Sequence, residues 1–322
     1  MRVIQMTRFG GPEVLVPAEA PDPVAAAGQV VVDVAVAGIT FVETQIRRGV
    51  DQWHAKPPLP HVPGGLVAGR VSSVGAQVDP DWLGRRVIAT TGDGGFAERA
   101  AAPVGGLFRV PDGLGLPEAI ALHSDGSTAQ GLVENAEIGA GEWVLVEAAA
   151  GGVGSLLVQL ARAAGARVVG AARGARKLDL IRELGAEAAV DYSEPDWTER
   201  VLKATGGAGP DVVFDGVGGG IGRAAFEVTA PGGRFSVHGA SSGEVTVIDP
   251  AEAQAKQVDV IGIEQLFEFR PNVVRWAEQM MSQAAAGLVR PIIGQTFPLE
   301  RAADAHAAIE QRTAVGKTLL VT

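Results

Sequence analysis

Apolar and polar positions follow two different patterns along the chain, and the change falls near residue 117. Before it, short runs of β-branched apolar residues are separated by Gly- and Pro-rich turns, which is typical of a β-rich domain. These runs predict strands at residues 30–36, 66–74 and 86–90. Only residues 41–48 have the spacing of a short helix.

After residue 117 the period becomes helical over residues 118–134, and short apolar runs then alternate with amphipathic helical segments. Alternation of this kind predicts βαβ units and a doubly wound parallel sheet. The predicted strands, six as in the dinucleotide-binding fold, are 143–146, 167–171, 188–190, 212–215, 234–237 and 258–261. The predicted helices between them lie near 153–164, 175–184, 195–205 and 220–230.

The C-terminal part of the chain returns to mixed elements. A helix over 270–287 is followed by a strand near 291–297, a helix at 300–312 and a last strand at 317–321. We expect this tail to fold back on the β-rich domain. The sequence thus predicts an α/β protein with a β-rich domain (residues 1–121 and 265–322) and a six-stranded doubly wound domain (residues 122–264).

Composition limits the possible functions. The chain of 322 residues is 47% hydrophobic and 20% charged, which is enough for a large folded core. Its net charge of −10 argues against nucleic acid as a partner. The absence of cysteine excludes disulfides, thiolate nucleophiles and every cysteine-containing zinc site. With no signal peptide and no apolar run of membrane length, we expect a cytoplasmic protein without a membrane partner.

The stretch EWVLVEAAAGGVG (142–154) predicts a nucleotide-binding turn. It places a buried strand, a turn of small residues and a helix start in succession, which is the context in which a Gly-rich motif binds a dinucleotide. The motif is Ala149-x-Gly151-x-x-Gly154, with alanine in place of the first glycine. We predict that Gly151, Gly152 and Val153 bind the pyrophosphate at the helix N-terminus.

Motifs along the whole chain carry a resemblance to a known family. They are FGGPEVL near the start, GITFVETQIRRG (38–49), VPGGLVAGRVSSVG (62–75), GGFAERAAAP (94–103), AAAGGVG (148–154), DVVFDGVGG (211–219) and HGASSG (238–243). Together they resemble the quinone oxidoreductase, or zeta-crystallin-like, branch of the zinc-independent medium-chain dehydrogenase/reductases. The resemblance implies a GroES-like catalytic domain, a Rossmann domain that binds NADPH, and a homodimer joined through the sheet edge, here residues 258–263.

The zinc-dependent relatives carry a catalytic cysteine and a Gly-His-Glu segment, and this chain departs from both. It has no cysteine, and the matching segment is Pro63-Gly64-Gly65. Its five histidines (54, 61, 123, 238 and 306) include no pair spaced for metal binding on a helix. We therefore predict no metal site and zinc-independent chemistry.

The second strand of the nucleotide domain is followed by a basic segment, Arg173-Gly-Ala-Arg176-Lys177. An acidic residue about 20 positions after the motif favours NAD, whereas a basic cluster favours the 2′-phosphate of NADPH. A solvated helix start is the simpler interpretation. Positive charges are unfavourable at a helix N-terminus unless an anion lies there, so we predict that Arg173 and Lys177 bind the phosphate.

The resemblance implies further cofactor contacts at Thr128, Tyr192, Val217 and Ser241. Each has a simpler structural interpretation. Thr128 can be a helix hydroxyl bonded to the preceding turn, Tyr192 an aromatic that packs at a strand end, and Ser241 an ordinary turn residue. Val217 lies in the Gly-rich segment 216–222, which lacks GxGxxG spacing and is interpreted as a close-approach turn near the nicotinamide riboside.

On the substrate side, the family often has Asn and Tyr where this chain has Thr40 and Gln45. Both residues can donate a hydrogen bond to a substrate carbonyl, or can face solvent. Hydride transfer needs a pocket that excludes water, and the proton can come from solvent. The predicted function is an NADPH-dependent oxidoreductase acting on a small-molecule quinone or enone. The alternatives are an enoyl or 2-alkenal C=C reductase of a biosynthetic pathway, and an NADPH-binding protein without turnover.

Overall fold

The computed structural model of the protein describes residues 1–322 and contains three β-sheets. The chain forms two compact units, one made of Met1–His123 and Ile292–Thr322 and the other of Ser124–Pro291. We call them the β-rich unit and the Rossmann unit. No helix in either has both the length and the apolar character needed to cross a bilayer.

The elements of the chain are as follows. The first part contains β1 (Arg2–Gln5), β2 (Val16–Glu19), β3 (Gln29–Ile39), α1 (Phe41–Arg48), β4 (Leu66–Val74), β5 (Arg86–Thr90), β6 (Arg99–Pro103), β7 (Leu107–Arg109) and α2 (Leu116–Ala121). A π-helical turn (Leu122–Gly126) then leads to α3 (Ser127–Ala136), β8 (Trp143–Val146), α4 (Gly152–Ala163), β9 (Arg167–Ala172), α5 (Ala175–Glu183), β10 (Ala188–Asp191), α6 (Trp197–Ala204) and β11 (Val212–Asp215). The remaining elements are α7 (Gly219–Val228), β12 (Arg234–Val237), α8 (Pro250–Lys256), β13 (Asp259–Ile261), α9 (Gln265–Glu268), α10 (Val273–Ala285), β14 (Ile293–Pro298), α11 (Ala302–Glu310) and β15 (Lys317–Val321).

The β-rich unit is built around β3, which pairs with three other strands. Its main sheet has the order β14-β15-β3-β4-β5-β7, and β6 also pairs with β3. The predicted return of the C-terminal tail is confirmed, because β15 lies antiparallel to β3 with Leu319 opposite Gly38. Valine side chains on one face of β3, among them Val30 and Val32, are fully buried in the core.

The Rossmann unit contains a six-stranded parallel sheet in the order β10-β9-β8-β11-β12-β13. Successive residues Val144, Leu145 and Val146 of β8 are all buried, as expected for a strand covered by helices on both faces. The predicted doubly wound fold is confirmed. The strand order reverses between β8 and β11, and ligands of such folds bind at the carboxyl ends of the strands at this reversal.

The chain returns to the β-rich unit later than we predicted. Residues 265–291 lie in the Rossmann unit, although we assigned them to the β-rich domain. A Cβ on Gly131 of α3 would lie 2.7 Å from the Trp276 ring of α10 and 2.8 Å from the Phe269 ring. Glycine in α3 therefore admits two aromatic rings, and this packing holds α10 on the Rossmann unit.

The helical pattern over 118–134 proved to be an interrupted one. It consists of α2, the π-helical turn and α3 rather than one continuous helix. The predicted strands and helices elsewhere occur within a few residues of their expected bounds, but β1, β2, β6, β7, α8 and α9 were not predicted. β6 illustrates the reason. Its sequence is RAAAP, and a run of alanines has no alternation of apolar and polar residues from which a strand could be predicted.

Candidate functional site

The turn between β8 and α4 is tightly closed. Ala148 has a left-handed φ of 47°, and the N–H of Gly151 donates to its carbonyl oxygen at 2.8 Å. A Cβ on Gly154 would lie 2.4 Å from that same oxygen, so α4 can approach the turn only with glycine there. The first turn of α4 presents free N–H groups and the positive end of the helix dipole, an arrangement that binds phosphate.

The predicted pyrophosphate residues lie together in this turn. Gly151 precedes α4, and Gly152 and Val153 are its first two residues. Ala149, which replaces the first glycine of the motif, is fully buried, and its N–H donates to Ala171 of the neighbouring strand at 3.0 Å. Ala149 therefore packs against the sheet and does not cover the N-terminus of α4. Contact with a pyrophosphate stays a prediction.

An acidic side chain that we did not predict at this site lies against the same turn. A Cβ on Gly152 would lie 1.9 Å from Oδ2 of Asp125, so this carboxylate rests on the first residue of α4. The Ser124 hydroxyl donates to the other oxygen of Asp125 at 2.8 Å. A negative charge is favourable at a helix N-terminus, but it opposes a phosphate at that position.

Thr128 follows Asp125 in the chain and lies in α3. Its hydroxyl donates to the carbonyl oxygen of Ser124 at 3.1 Å. This is the simpler of the two interpretations of the residue, and it uses the one donor that a threonine side chain has. A role of Thr128 beside the cofactor stays a prediction and would require it to accept a hydrogen bond.

The basic segment after β9 forms a turn that is held from the next strand. Gly174 has φ 86°, and its N–H donates to Oδ2 of Asp191, at the end of β10, at 2.8 Å. Arg173 is exposed beside this bond, and Lys177 lies in the first turn of α5. The structure therefore places both predicted phosphate-binding residues on one turn.

Asp191 supplies the acidic charge of this region, but it is already engaged. Burial opposes its ionisation, whereas hydrogen bonds from Ser193 and Gly174 and the charge of Arg173 outweigh burial and lower the pKa of Asp191. Ser193 donates both its N–H, at 2.9 Å, and its hydroxyl, at 2.5 Å. The Asp191 carboxylate therefore holds the basic turn in place through its hydrogen bond with the Gly174 N–H.

Tyr192 lies next to Asp191 and after β10. Its N–H donates to the Ala172 carbonyl at 3.3 Å, which brings it to the end of the strand that carries Arg173. Its side chain is partly buried against the core of the Rossmann unit. The structure thus shows the packing role, at a position adjacent to the basic turn.

Two more predicted residues meet at the turn after β11. The N–H groups of Val217 and Gly218 donate to Oδ1 of Asp215 at 3.0 and 2.7 Å. The N–H of Ser241 donates to the Gly216 carbonyl at 3.4 Å. Val217 and Ser241 are therefore held side by side at the carboxyl ends of β11 and β12.

Thr40 precedes α1 of the β-rich unit as its N-cap, Gln45 lies within the helix, and both make local hydrogen bonds. The N–H and the hydroxyl of Thr40 both donate to Oε2 of Glu43, at 2.7 and 3.0 Å. The Gln45 amide donates to the Thr44 hydroxyl at 2.9 Å. Thr40 thus caps the helix with Glu43. The catalytic role that we predicted for Thr40 and Gln45 remains a prediction.

The β-rich unit also holds buried charged groups near α1 that the sequence did not reveal. Burial raises the pKa of Glu43, while hydrogen bonds from Thr40 and the charge of Lys317 oppose the rise. Lys317, on β15, is 4% exposed. Burial lowers the pKa of His123 to about 4, and Lys317 adds to the effect. Four successive residues of β15, from Lys317 to Leu320, are buried, so no alternation of apolar and polar residues could identify a buried lysine there.

Three histidines are held in the neutral form by their surroundings. Burial lowers the pKa of His123 and of His238 to about 4. Burial, with the nearby charge of Arg47, lowers the pKa of His306 to about 3. His306 is fully buried and packs edge-on against Phe96, with 5.9 Å between the ring centroids.

These shifts predict a loss of stability in mild acid. An unfolded histidine takes up a proton near pH 6.5, whereas these folded ones do so near pH 4 or below. Stability should therefore fall as the pH drops below 6.5, by up to about 1.4 kcal/mol per histidine for each pH unit. Urea unfolding at pH 7.5 and 5.5 measures the loss. His306→Leu should reduce it, and an undiminished loss in that variant would contradict the assignment.

The fold and the site define a class of protein. A six-stranded Rossmann sheet with a phosphate turn and a basic turn at adjacent strand ends, joined in one chain to a β-rich unit, is the architecture of a nucleotide-dependent dehydrogenase or reductase. Residues 26–112 match the family model described as an alcohol dehydrogenase GroES-like domain. Residues 152–282 match the model described as a zinc-binding dehydrogenase.

Individual relatives define the family more closely. The quinone oxidoreductase of Rattus norvegicus is 33% identical over 325 residues, covering 100% of this chain and 98% of the relative. The crystal structure of Escherichia coli quinone oxidoreductase complexed with NADPH is similar with a TM-score of 0.91 and 29% identity, over 100% of both chains. The structure of the CurK enoyl reductase is similar with a TM-score of 0.85 and 25% identity, over 99% of this chain and 98% of that one.

The chain belongs to the quinone oxidoreductase family of the medium-chain dehydrogenase/reductases, as the motifs predicted. It is accordingly an oxidoreductase.

Proposed function

We propose that the protein is an NADPH-dependent oxidoreductase that transfers hydride to a quinone or another conjugated carbonyl acceptor without zinc. One observation carries the proposal. The phosphate turn before α4 and the basic turn before α5 stand at the carboxyl ends of the adjacent strands β8 and β9. This spacing suits the pyrophosphate and the adenosine ribose of one dinucleotide.

The residues present fit NADPH better than NADH. The carboxylate nearest the basic turn, Asp191, accepts hydrogen bonds from Gly174 and Ser193 and is not needed for a ribose hydroxyl. Arg173 and Lys177 place two positive charges at this turn, next to Tyr192, and positive charge favours a phosphate there. The NADPH complex of the Escherichia coli relative supports this choice.

Zinc independence is supported by the residues at the matching segment. Gly64 has φ 102°, and a Cβ there would lie 2.6 Å from both the N atom and the ring of Phe96. A ligating side chain at Gly64 would therefore not fit. The chain also has no cysteine to replace it.

When bound, NADPH supplies the hydride, and the residues of the chain bind and orient the reactants. The turn that carries Val217 and Ser241 orients the nicotinamide half. Gln45 donates one amide hydrogen to Thr44 and retains a second for an acceptor carbonyl. Thr40 already donates its hydroxyl to Glu43, so it contributes to the acceptor site chiefly by holding α1. Solvent delivers the proton.

A second candidate is reduction of a C=C bond in a 2-alkenal or an enoyl thioester. The likeness to the CurK enoyl reductase over nearly the whole chain favours it. Both candidates use the same hydride and differ in the atom of the conjugated acceptor that receives it.

A panel of quinones, 2-alkenals and enoyl thioesters, followed by NADPH absorbance, tests the proposal. We expect turnover with at least one acceptor class, and the class that reacts decides between the two candidates. Gly154→Ala should abolish turnover because its Cβ meets the Ala148 carbonyl. Gly105→Ala, whose Cβ meets no atom within 4 Å, is the matched control. NADPH binding without oxidation by any acceptor would favour a non-catalytic protein.

Cofactor preference is tested at the basic turn. The double variant Arg173→Ala with Lys177→Ala should erase an NADPH preference of about 10- to 100-fold, since each charge-assisted hydrogen bond contributes about 1.5–3 kcal/mol. Steady-state kcat/KM for NADPH and NADH gives the ratio. Lys203→Ala with Lys256→Ala removes the same charge from α6 and α8 and should leave the ratio intact. Unchanged selectivity in the first variant would refute the assignment.

We further propose that the protein forms a homodimer through β13, the edge strand of the Rossmann sheet. The N–H of Asp259 donates inward to Gly233 at 2.9 Å. The N–H of Val260 therefore points away from β12, where it is available to a second chain.

Val260→Pro removes only this outward donor, because proline is tolerated on an edge strand whose N–H faces outward. Light scattering after size exclusion should give a dimer mass for the wild type and a monomer mass for Val260→Pro. Val260→Ala, which keeps the N–H, should stay dimeric. A wild-type monomer, or a dimeric proline variant, would rule out this interface.

A further inference from the structure

Two acidic side chains lie where the order of the Rossmann sheet reverses. Glu147 directly follows β8, and Asp215 ends β11, the strand beside it. The N–H of Glu147 donates to the Phe214 carbonyl at 3.1 Å, so the two residues are held at the same level. Both side chains are completely buried. An acidic pair at this place needs a physical explanation, because burying two carboxylates together is costly.

Asp215 holds the turn that opens α7. Its Oδ1 accepts the N–H groups of Val217 and Gly218, which suits a carboxylate because it can only accept. Its Oδ2 is buried and has no hydrogen-bond partner among the N–H and hydroxyl groups of the protein. One acceptor position of Asp215 is thus left for a donor.

Glu147 is the neighbour that can supply this donor. Both of its carboxyl oxygens are buried, and no N–H or cation bonds to them. Burial, and then the charge of Asp215 and hydrogen bonding with it, raise the pKa of Glu147 well above its ordinary value, and they outweigh the nearby Val217 N–H, which opposes the rise. A protonated carboxyl has one O–H, which matches the one vacant oxygen of Asp215.

We propose that Glu147 is a positioning residue that donates its acid proton to Asp215 and thereby holds the turn Gly216–Gly218 in the shape that binds NADPH. The proposal rests on the proposed function, because that turn is the one assigned to the nicotinamide half. In alkaline solution Glu147 loses the proton, a second negative charge stands behind the turn, and NADPH binds less tightly.

The other groups that face this pair do not account for such a change. The Nε2 atom of His238, which follows β12, would lie 2.8 Å from a Cβ on Gly216. Burial keeps the pKa of His238 at about 4, so it stays neutral from neutral to alkaline pH. Thr246 contributes a buried hydroxyl beside Gly222, and Glu244 faces the turn from solvent. The alkaline transition is therefore assigned to Glu147.

NADPH fluorescence titrations of the full-length protein between pH 7 and 9.5 test the proposal. The wild-type Kd should rise by about 5- to 10-fold, within the usual range of coupling between two sites. Glu147→Gln, which keeps the shape and a donor but cannot ionise, should bind within about twofold of the wild type at pH 7 and show no rise. Lys177 and every other titrating group are the same in both proteins, so the difference isolates Glu147.

A wild-type Kd that is independent of pH, or a Glu147→Gln variant that keeps the rise, would overturn the proposal. Infrared spectra give a second test that needs no ligand. The wild type should show the C=O band of a protonated carboxyl at pH 7, and this band should vanish over the same alkaline range. Glu43→Gln identifies any share that comes from Glu43. If the wild type shows no C=O band of a protonated carboxyl beyond the share of Glu43, the proposal is refuted even if the Glu147→Gln variant does not fold. If the wild type does not bind NADPH at pH 7, only the proposed function is refuted.

Discussion

The close approach of α4 to the end of β8 is the constraint on which the nucleotide site depends. Gly154 packs on the Ala148 carbonyl with no room for a Cβ, and Ala148 adopts a left-handed φ to make the turn. This packing directs the first N–H groups of α4 toward the carboxyl ends of the strands, where phosphate binding is favoured. The turns after β9 and β11 lie along the same edge, and each is held in shape by a carboxylate that accepts its backbone N–H groups.

Charge along that edge is distributed between two roles. The carboxylates accept hydrogen bonds from the backbone of the protein: Asp191 fixes the turn before α5, and Asp215 fixes the turn before α7. The exposed cation, Arg173, remains outward. An overall charge of −10 is therefore compatible with an anionic cofactor, because the site uses local charges whose acidic neighbours are already hydrogen-bonded.

Much of this could be predicted from sequence, because period and glycine spacing reflect backbone geometry. The six strands, the phosphate turn and the basic turn follow from such patterns, and the family motifs supplied the GroES-like unit. The buried ionisable groups could not be predicted, because a single Glu147 or Lys317 has no period and its partner is distant in the chain. Whether residues 265–291 belong to the Rossmann unit or the β-rich unit depends on two aromatic rings that pack on Gly131, a contact that only tertiary structure reveals.

The bond between Asp191 and the Gly174 N–H also bears on how cofactor preference can change in this fold. An acidic residue at the end of β9 is the usual route to NAD. Here such a residue at position 173 would stand beside the negative charge of Asp191, and their repulsion would act on the hydrogen bond between Asp191 and the Gly174 N–H. Preference for NAD would thus require two coordinated substitutions, one at each strand end. Asp191, at the end of β10, thus limits which residues after β9 can determine the cofactor preference.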